Sequence, residues 1–458
     1  VNNQSPPKIV IVGGGAGGLE LATKLGATLG EQGKASILLV DRSPTHIWKP
    51  LLHEVAAGTL NAFHDEENYF CHAARNHYTF QLGALSKLNR SEKTITIAPV
   101  YSKENEIIVD ERTITYDRLV IAVGSTSNDF GTAGASEHCI YLDSRDKADV
   151  FHRKFLNFYI AAHSSSQPSA QSQQPSTQTD VEQTDVEQTD VKQAQQISIS
   201  IIGGGATGVE LAAELHFAAQ QYVRLGLKEL DAKNVSISLI EAGPRILPIL
   251  PEKIARRASE ELAKLGVKVY VGDKVVSINK TSIETASGKT IPAQLKVWCA
   301  GIKAPEFLKQ LDGLETNRIN QLVVNQTLQT SLDDTIFSMG DCAQCARGEG
   351  YVPPRAQAAH QQAQLLAKNL VRSLHNKPLK TFQYKDHGSL VSLSREDSVG
   401  VLMGRLMGNV NIHGLLAKWI YLSLYRSHQL AIHGWYKTLI LIISDALGRS
   451  TGQRTKLH

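Results

Sequence analysis

The chain has 458 residues, 42% of them hydrophobic and 20% charged, with a formal net charge of +4. That length accommodates two or three domains around large cores, and so small a basic surplus gives no reason to expect nucleic acid as a partner. Five cysteines (Cys71, Cys139, Cys299, Cys342 and Cys345), an odd number in a long chain, do not make a disulfide framework and fit a reducing compartment.

Residues 1–7 are short and polar, unlike a targeting signal, and no segment offers the roughly 18 to 20 apolar residues needed to span a bilayer. The first apolar run, Ile9-Val10-Ile11-Val12, predicts a buried strand that runs into Gly13, Gly15 and Gly18, with Ala16 and Gly17 between them. In this fingerprint the first glycine allows a tight turn and the second lets backbone approach a pyrophosphate. The third permits close helix-sheet packing, and the helix that follows offers its N-terminus to the phosphates. A second run, Ser36 to Val40, ends at Asp41, 23 residues beyond Gly18. A carboxylate there accepts ribose hydroxyls and repels a 2′-phosphate. The alternative is an ordinary acid at a strand end. The stretch Thr115 to Gly124 reads as a buried strand closed by a glycine at its carboxyl end, where ligands collect in open α/β sheets.

From His163 to Gln196 the apolar content falls away, and Thr-Asp-Val-Glu/Lys-Gln repeats three times between Thr179 and Gln193. Such a stretch cannot bury enough surface to offset its ordering entropy and is expected to be a disordered insertion, either a solvated spacer or a partner-binding segment.

A second copy of the fingerprint follows at once. Ile199-Ser200-Ile201-Ile202 leads into Gly203, Gly205 and Gly208, with Ala206 and Thr207 at the start of the expected helix. Val235 to Ile240 then ends at Glu241, 33 residues past Gly208, and no arginine stands beside it until Arg245, a pattern that favours NADH over NADPH. Glu210 falls two residues past Gly208, in what should be the first turn, where an acid complements the helix dipole; Glu20 holds the equivalent place in the first copy. Lys296 to Gly301, containing Ala300, repeats the strand-then-glycine form. Strand-like Thr335 to Gly340 precedes Asp341, so the first domain is expected to resume after about Glu315.

Cys342-Ala343-Gln344-Cys345 has the spacing of a redox dithiol or half a zinc site, but no second pair completes a zinc set, and structural cysteines are the simpler account. Pro353 and Pro354 set up a helix start, and the alanine-rich run from Ala356 places Gln357 and Gln361 four apart on one face. Between Asn409 and His458 six cations (Lys418, Arg426, Lys437, Arg449, Arg454, Lys456) oppose one acid, Asp445. Interleaved apolar residues, Trp419 and Trp435 among them, predict two amphipathic helices suited to a membrane interface, or a basic helical hairpin that packs on the core or on a second copy.

Taken together, the doubled fingerprint, Gly340-Asp341, Trp48 to Gly58, Val297 to Pro305 and Pro353 to Gln362 resemble the two-dinucleotide-binding flavoprotein reductases, and among them the type II NADH:quinone oxidoreductases. That resemblance implies an α/β fold of two Rossmann-like domains. An FAD domain at 1–145 and 315–385 would be interrupted by an NADH domain at 146–314, with a C-terminal amphipathic membrane-association region at 386–458. It implies FAD contacts at Gly13, Gly15, Ala16, Gly17, Gly18, Asp41, Arg42, Lys49, Leu85, Gly124, Asp341, Ala356, Gln357 and Lys418. NADH contacts are implied at Gly203, Gly205, Ala206, Thr207, Gly208, Glu210, Glu241, Ala300 and Gly301. Catalytic roles are implied for Glu210, Gln357 and Gln361, with no metal. The expected enzyme is a homodimer on the cytoplasmic face of the inner membrane, passing hydride from NADH to FAD and then two electrons to a membrane quinone without pumping ions. A sulfide:quinone or other flavin reductase, and a nucleotide-responsive binding protein with little turnover, are the alternatives.

Overall fold

The computed structural model describes residues 5–60, 66–166, 197–225, 235–392, 398–404, 408–413 and 415–451. The first run forms β1 (Lys8–Val12), followed by α1 (Ala16–Leu25) and β2 (Ser36–Asp41). A short helix α2 (Leu52–Ala57) follows, then strands β3 (Thr79–Leu82) and β4 (Arg118–Ile121). β1 lies between β2 and β4, parallel to both, with Ile9 opposite Ile37 and Arg118. Because both faces of the sheet are covered, the strand has no polar alternation: Ile9 and Ile11 pack into one core with Leu19 and Leu39, Val10 and Val12 into another with Leu38 and Ile121.

Helix α3 (Arg145–Ser166) leads out of this unit, and a second parallel sheet takes over. Its centre is β5 (Ile197–Ile202), followed by α4 (Ala206–Arg224), β6 (Val235–Ile240) and, later, β7 (Leu295–Trp298). β5 is parallel to both β6 and β7, with Ile199 opposite Ile237 and Leu295. The chain then returns: β8 (Asp333–Ser338) pairs in parallel with β4, Leu119 opposite Ile336, in the first sheet. Two sheets, the second interrupting the first, are therefore present. The ribbon of Thr126–Ser127 against Ile302–Lys303 marks the two crossings between them.

Three features depart from the sequence-based expectation. Ile140–Tyr141 pairs with β7, so the second sheet takes up chain before position 146. The segment expected to be disordered from His163 begins instead as the last turn of α3, because a helix anchored by Phe155 and Tyr159 against Tyr222 extends at little cost once nucleated; 167–196 lie outside the described residues. The C-terminal region is not helical throughout. After α5 (Ala356–Leu374), an antiparallel sheet of β9 (Gly388–Ser392), β10 (Ser398–Gly404) and β11 (Gly408–His413) precedes α6 (Leu415–Thr451). The expected pair of helices is present as one element broken at Gly434, whose φ of 74° and ψ of 173° belong to a region open essentially to glycine alone.

Candidate nucleotide and electron-transfer site

The two glycine loops are built alike. Gly13 has φ +104°, and a side chain on it would stand 2.3 Å from the Ala122 carbonyl oxygen; one on Gly18 would strike the Gly13 carbonyl oxygen at 1.8 Å. In the second loop Gly203 has φ +110° and abuts the Ala300 backbone, and Gly208 would strike the Gly203 oxygen at 2.0 Å. Gly15 and Gly205 differ, because a side chain there would meet no protein atom within 4 Å. What those two glycines leave room for is not protein. Each loop opens onto a helix without a side-chain cap, α1 after Gly15 and α4 after Gly205. Ala16 and Gly17, and Ala206 and Thr207, thus begin helices whose first amides face outward with the positive end of the dipole, as an anionic pyrophosphate requires. Gly17 also serves packing, since its Cα faces Met339 and Ala359.

The acids at the ends of β2 and β6 grip these loops. Asp41 accepts the Gly14 amide through Oδ2 at 2.6 Å and the Ser43 amide through Oδ1 at 2.8 Å. Glu241 does the same, accepting Gly204 through Oε2 and Gly243 through Oε1, both at 2.7 Å. Burial raises the Asp41 carboxyl and the two amides counter it. Each carboxylate oxygen keeps a further acceptor site for a ribose hydroxyl, so the acid fixes the loop as well as offering ligand contacts. The sequence suggested only the second of these tasks.

At the carboxyl ends of β4 and β8 three expected contacts come together. The Ser125 hydroxyl donates to Asp341 Oδ2 at 2.7 Å, Lys49 Nζ donates to the Ser125 carbonyl at 3.1 Å, and Gly124, at φ +71°, leaves room beside Lys49. Buried Gln362, which the sequence did not single out, accepts the Gly340 amide at 2.7 Å and so sets the turn bearing Asp341. Arg42 is exposed beside Asp41. Leu85 does not join this group through its side chain, which is buried in an apolar cluster with Val12, Ile95 and Ile97. Ala300 carries the carbonyl that accepts Trp298 Nε1 at 2.7 Å, and Gly301, at φ +64°, would clash with the Phe130 ring if it bore a side chain.

Glu210 is not the first-turn, dipole-complementing acid that its position suggested. It is the fifth residue of α4, past the first turn, and it is buried. Its Oε1 accepts the Ser392 amide of β9 at 3.0 Å, and its Oε2 lies 3.6 Å from His53 Nδ1 on α2. Burial pushes the carboxyl up to about 8 and the His53 imidazole down to about 4, so at neutral pH both are uncharged. Glu20, the matching residue of the first copy, is also buried, but pairs with His360 of α5.

Helix α5 starts after Arg355 with no side-chain cap, leaving the Ala356 and Gln357 amides at its open end. Gln357 and Gln361 share a face as expected, yet their side chains clamp the backbone ahead of β9. Gln357 Nε2 donates to the Gly388 carbonyl at 3.1 Å and Oε1 accepts the His387 amide at 3.2 Å. Gln361 Nε2 and Oε1 meet the Lys385 carbonyl and amide at 2.8 and 2.9 Å. The cysteines of the C-x-x-C sit apart: Cys342 is in the core cluster of Val10 and Ile336, Cys345 in that of Ile9 and Phe337, on the other side of the sheet. Burial raises both thiols, Cys345 to about 11. That placement opposes a dithiol and fits structural cysteines.

Helix α6 docks on the first sheet's unit. Ring contacts join Tyr425 and His428 to Trp48, and His72 Nε2 donates to the Ile432 carbonyl at 2.9 Å. Beyond the break, Trp435 is 72% and Tyr436 64% exposed, and Leu439, Ile440 and Ile443 are exposed with them. The Lys418 backbone lies in α6, while its side chain is outside the described residues. Among the described residues no helix is long and apolar enough to cross a membrane.

Comparison with known proteins agrees with this arrangement. The model of the pyridine nucleotide-disulphide oxidoreductase family matches residues 7–363. The type II NADH:quinone oxidoreductase of Haemophilus influenzae is 43% identical over 98% of this chain and 99% of its own length, and that of Staphylococcus aureus 28% identical over 88% and 91%. The structure of NDH2 from Plasmodium falciparum in complex with NADH superposes with a TM-score of 0.79 at 18% identity, covering 99% of both chains. The sulfide:quinone oxidoreductase from Aquifex aeolicus superposes with a TM-score of 0.68 at 17% identity, covering 93% of this chain and 92% of its own.

Proposed function

Because this chain belongs to the pyridine nucleotide-disulphide oxidoreductase family and, within it, to the type II NADH:quinone oxidoreductases, we propose that it oxidises NADH and delivers the electrons to a membrane quinone. The observation that carries this is the pair of open glycine loops, each gripped by its own acid, on two separate parallel sheets. FAD, when bound, supplies the two-electron chemistry between hydride donor and quinone. The first loop with Asp41 and the cluster of Lys49, Gly124 and Asp341 would hold FAD, within a domain of 1–145 and 315–385. The second loop with Glu241, Ala300 and Gly301 would hold NADH, in the unit of the second sheet, which reaches back to Ile140.

Each reacting group then has a physical task. The open end of α5 offers amides and dipole to the negative charge that reduction brings to the flavin. Gln357, at that end, offers an amide to a quinone that enters beside β9, and Gln361 steadies the strand. Glu210, protonated at neutral pH and buried between His53 and Ser392, holds a proton for a reaction that consumes one overall. Quinone reduction requires access from lipid, and the exposed apolar face after Gly434 suits a peripheral seat on the cytoplasmic face of the membrane, with ions left unmoved and a second copy completing a homodimer.

The test is steady NADH oxidation by FAD-loaded protein with a short-chain quinone. Turnover supports the assignment. A flavin spectrum without turnover would favour a nucleotide-responsive binding protein, and turnover driven by sulfide alone would favour the sulfide reductase, which the separated cysteines oppose.

A further inference from the structure

A second cluster of ligand-type side chains lies away from both loops, where α6 meets the first sheet's unit. Glu67, His72 and His433 each offer one ligand atom within 4.8 Å of the others. Glu67 and His433, though not His72, line a cavity of about 70 Å³ together with His46, Glu66 and His428, room for an ion and a water. We propose that this cluster is a zinc site that joins the nucleotide-binding body to the C-terminal helix.

Three observations carry the assignment. First, the Glu67 carboxylate draws a ring of cationic or imidazole groups at 3.7 to 4.0 Å, from Lys437, His433 and Arg75, none near enough for a hydrogen bond. The carboxylate is thus left without a direct hydrogen bond to any of the three, and an ion that takes it must outcompete Lys437 and Arg75. Second, the His433 side chain is 7% exposed, its buried Nδ1 has no hydrogen-bond partner among the described residues, and its Nε2 faces Glu67 at 3.8 Å. Nε2 faces the carboxylate beyond hydrogen-bond reach, so a metal there gives this buried imidazole a partner that needs no proton. Third, His72 already has an outer partner. Its Nε2 donates to Ile432, so its Nδ1 accepts from the Tyr78 hydroxyl at 2.9 Å. Coordination through Nε2 shifts that proton to Nδ1 and reverses the Tyr78 bond, the hydrogen-bonded arrangement typical of metal-bound histidine.

Two imidazoles, one carboxylate and a water make a tetrahedral set for Zn²⁺ at about 2.0 to 2.2 Å, which needs the ligand atoms to close to roughly 3.3 Å of one another. Glu67 and His72 come from the body and His433 from α6, one residue before the Gly434 break, so the ion ties the two together. It takes His72 from the Ile432 carbonyl in exchange. Lys437 is the competing cation.

The test is calorimetric titration of Zn²⁺ into the full-length, FAD-loaded enzyme in detergent. One site per chain is expected, weakened at least tenfold in His433→Gln and Glu67→Gln, strengthened several-fold in Lys437→Met, and unchanged in Cys71→Ser, whose exposed thiol neighbours His72. Lys437→Met keeps the test open if the other variants fail to fold. Binding lost with Cys71→Ser, equal affinity in Lys437→Met and wild type, or no saturable binding below about 100 μM would each overturn the proposal.

Discussion

His428 on the C-terminal helix and His46 beside the first glycine loop meet Nε2 to Nε2 at 2.9 Å, and their tautomers are fixed by a third group. His46 Nδ1 is 3.0 Å from the Gly14 carbonyl, which can only accept, so His46 Nε2 is the acceptor and His428 the donor. The Tyr69 hydroxyl donates to the same carbonyl at 2.6 Å. The C-terminal helix is therefore hydrogen-bonded, through one imidazole, to the loop expected to carry FAD.

That relay requires a neutral His46, whose imidazole burial holds down at about 4. The unfolded chain takes up a proton near pH 6.5 and the folded chain does not, so this residue's effect is to lower stability as pH falls from about 6.5 to 4, with none above. His428→Ala should cost about 1 to 3 kcal/mol and increase hydrogen exchange in both 425–433 and 13–16. Exchange that rises only in the helix would show that the loop does not depend on it.

Glu210→Gln should lower kcat roughly 10²-fold while leaving bound FAD in place. Because the folded carboxyl titrates near 8 and its ordinary value is 4.5, stability contributed by the protonated form is complete below 4.5 and declines as pH rises to about 8. The glutamine variant should flatten that part of the stability profile in urea unfolding. Wild-type turnover in the variant would take Glu210 out of the mechanism.

Replacing Glu241 tests the double duty of the loop acids. Glu241→Gln keeps the size but offers only one acceptor atom to the Gly204 and Gly243 amides, so KM for NADH should rise about tenfold. Selectivity against NADPH should relax as well, since the negative charge is gone. Unchanged KM values for both nucleotides would refute both roles.

Cys342→Ala with Cys345→Ala should leave kcat within twofold and cost about 1 to 2 kcal/mol of stability from the two small cavities. A drop beyond tenfold, with flavin content intact, would revive a redox role.

On the exposed face of α6, Trp435→Ser with Leu439→Glu and Ile443→Glu should reduce co-sedimentation with anionic vesicles more than tenfold, while oxidation of NADH by a water-soluble quinone continues. Undiminished sedimentation would place the membrane contact elsewhere.

Both sheets were legible because their strands are continuous β-branched runs that end in glycines, and β8 was placed by Gly340-Asp341. Spacing could not convey burial: Glu210 looked like a first-turn acid because α2 and β9, distant in sequence, meet it only in the fold, and a strand as short as β9 gives little periodic signal. His53 lay within a quoted motif, yet nothing local marked it as the neighbour of an acid 157 positions away. The partners of Gln357 and Gln361 were missed for the same reason, since a helix face shows which residues project together and not what they meet.

Those partners give β9 an unusual position. Gln357 holds the Gly388 carbonyl at one end and Glu210 holds the Ser392 amide at the other, so a strand of about 13 Å reaches from α5 to α4. A molecule that draws Gln357 away from Gly388 also slackens the grip on the buried carboxyl, and a change of charge on that carboxyl tugs at the other end. The five residues act as a tie rod, and under the proposed assignment of α4 to NADH and α5 to the quinone it is one through which the two half-reactions can sense each other.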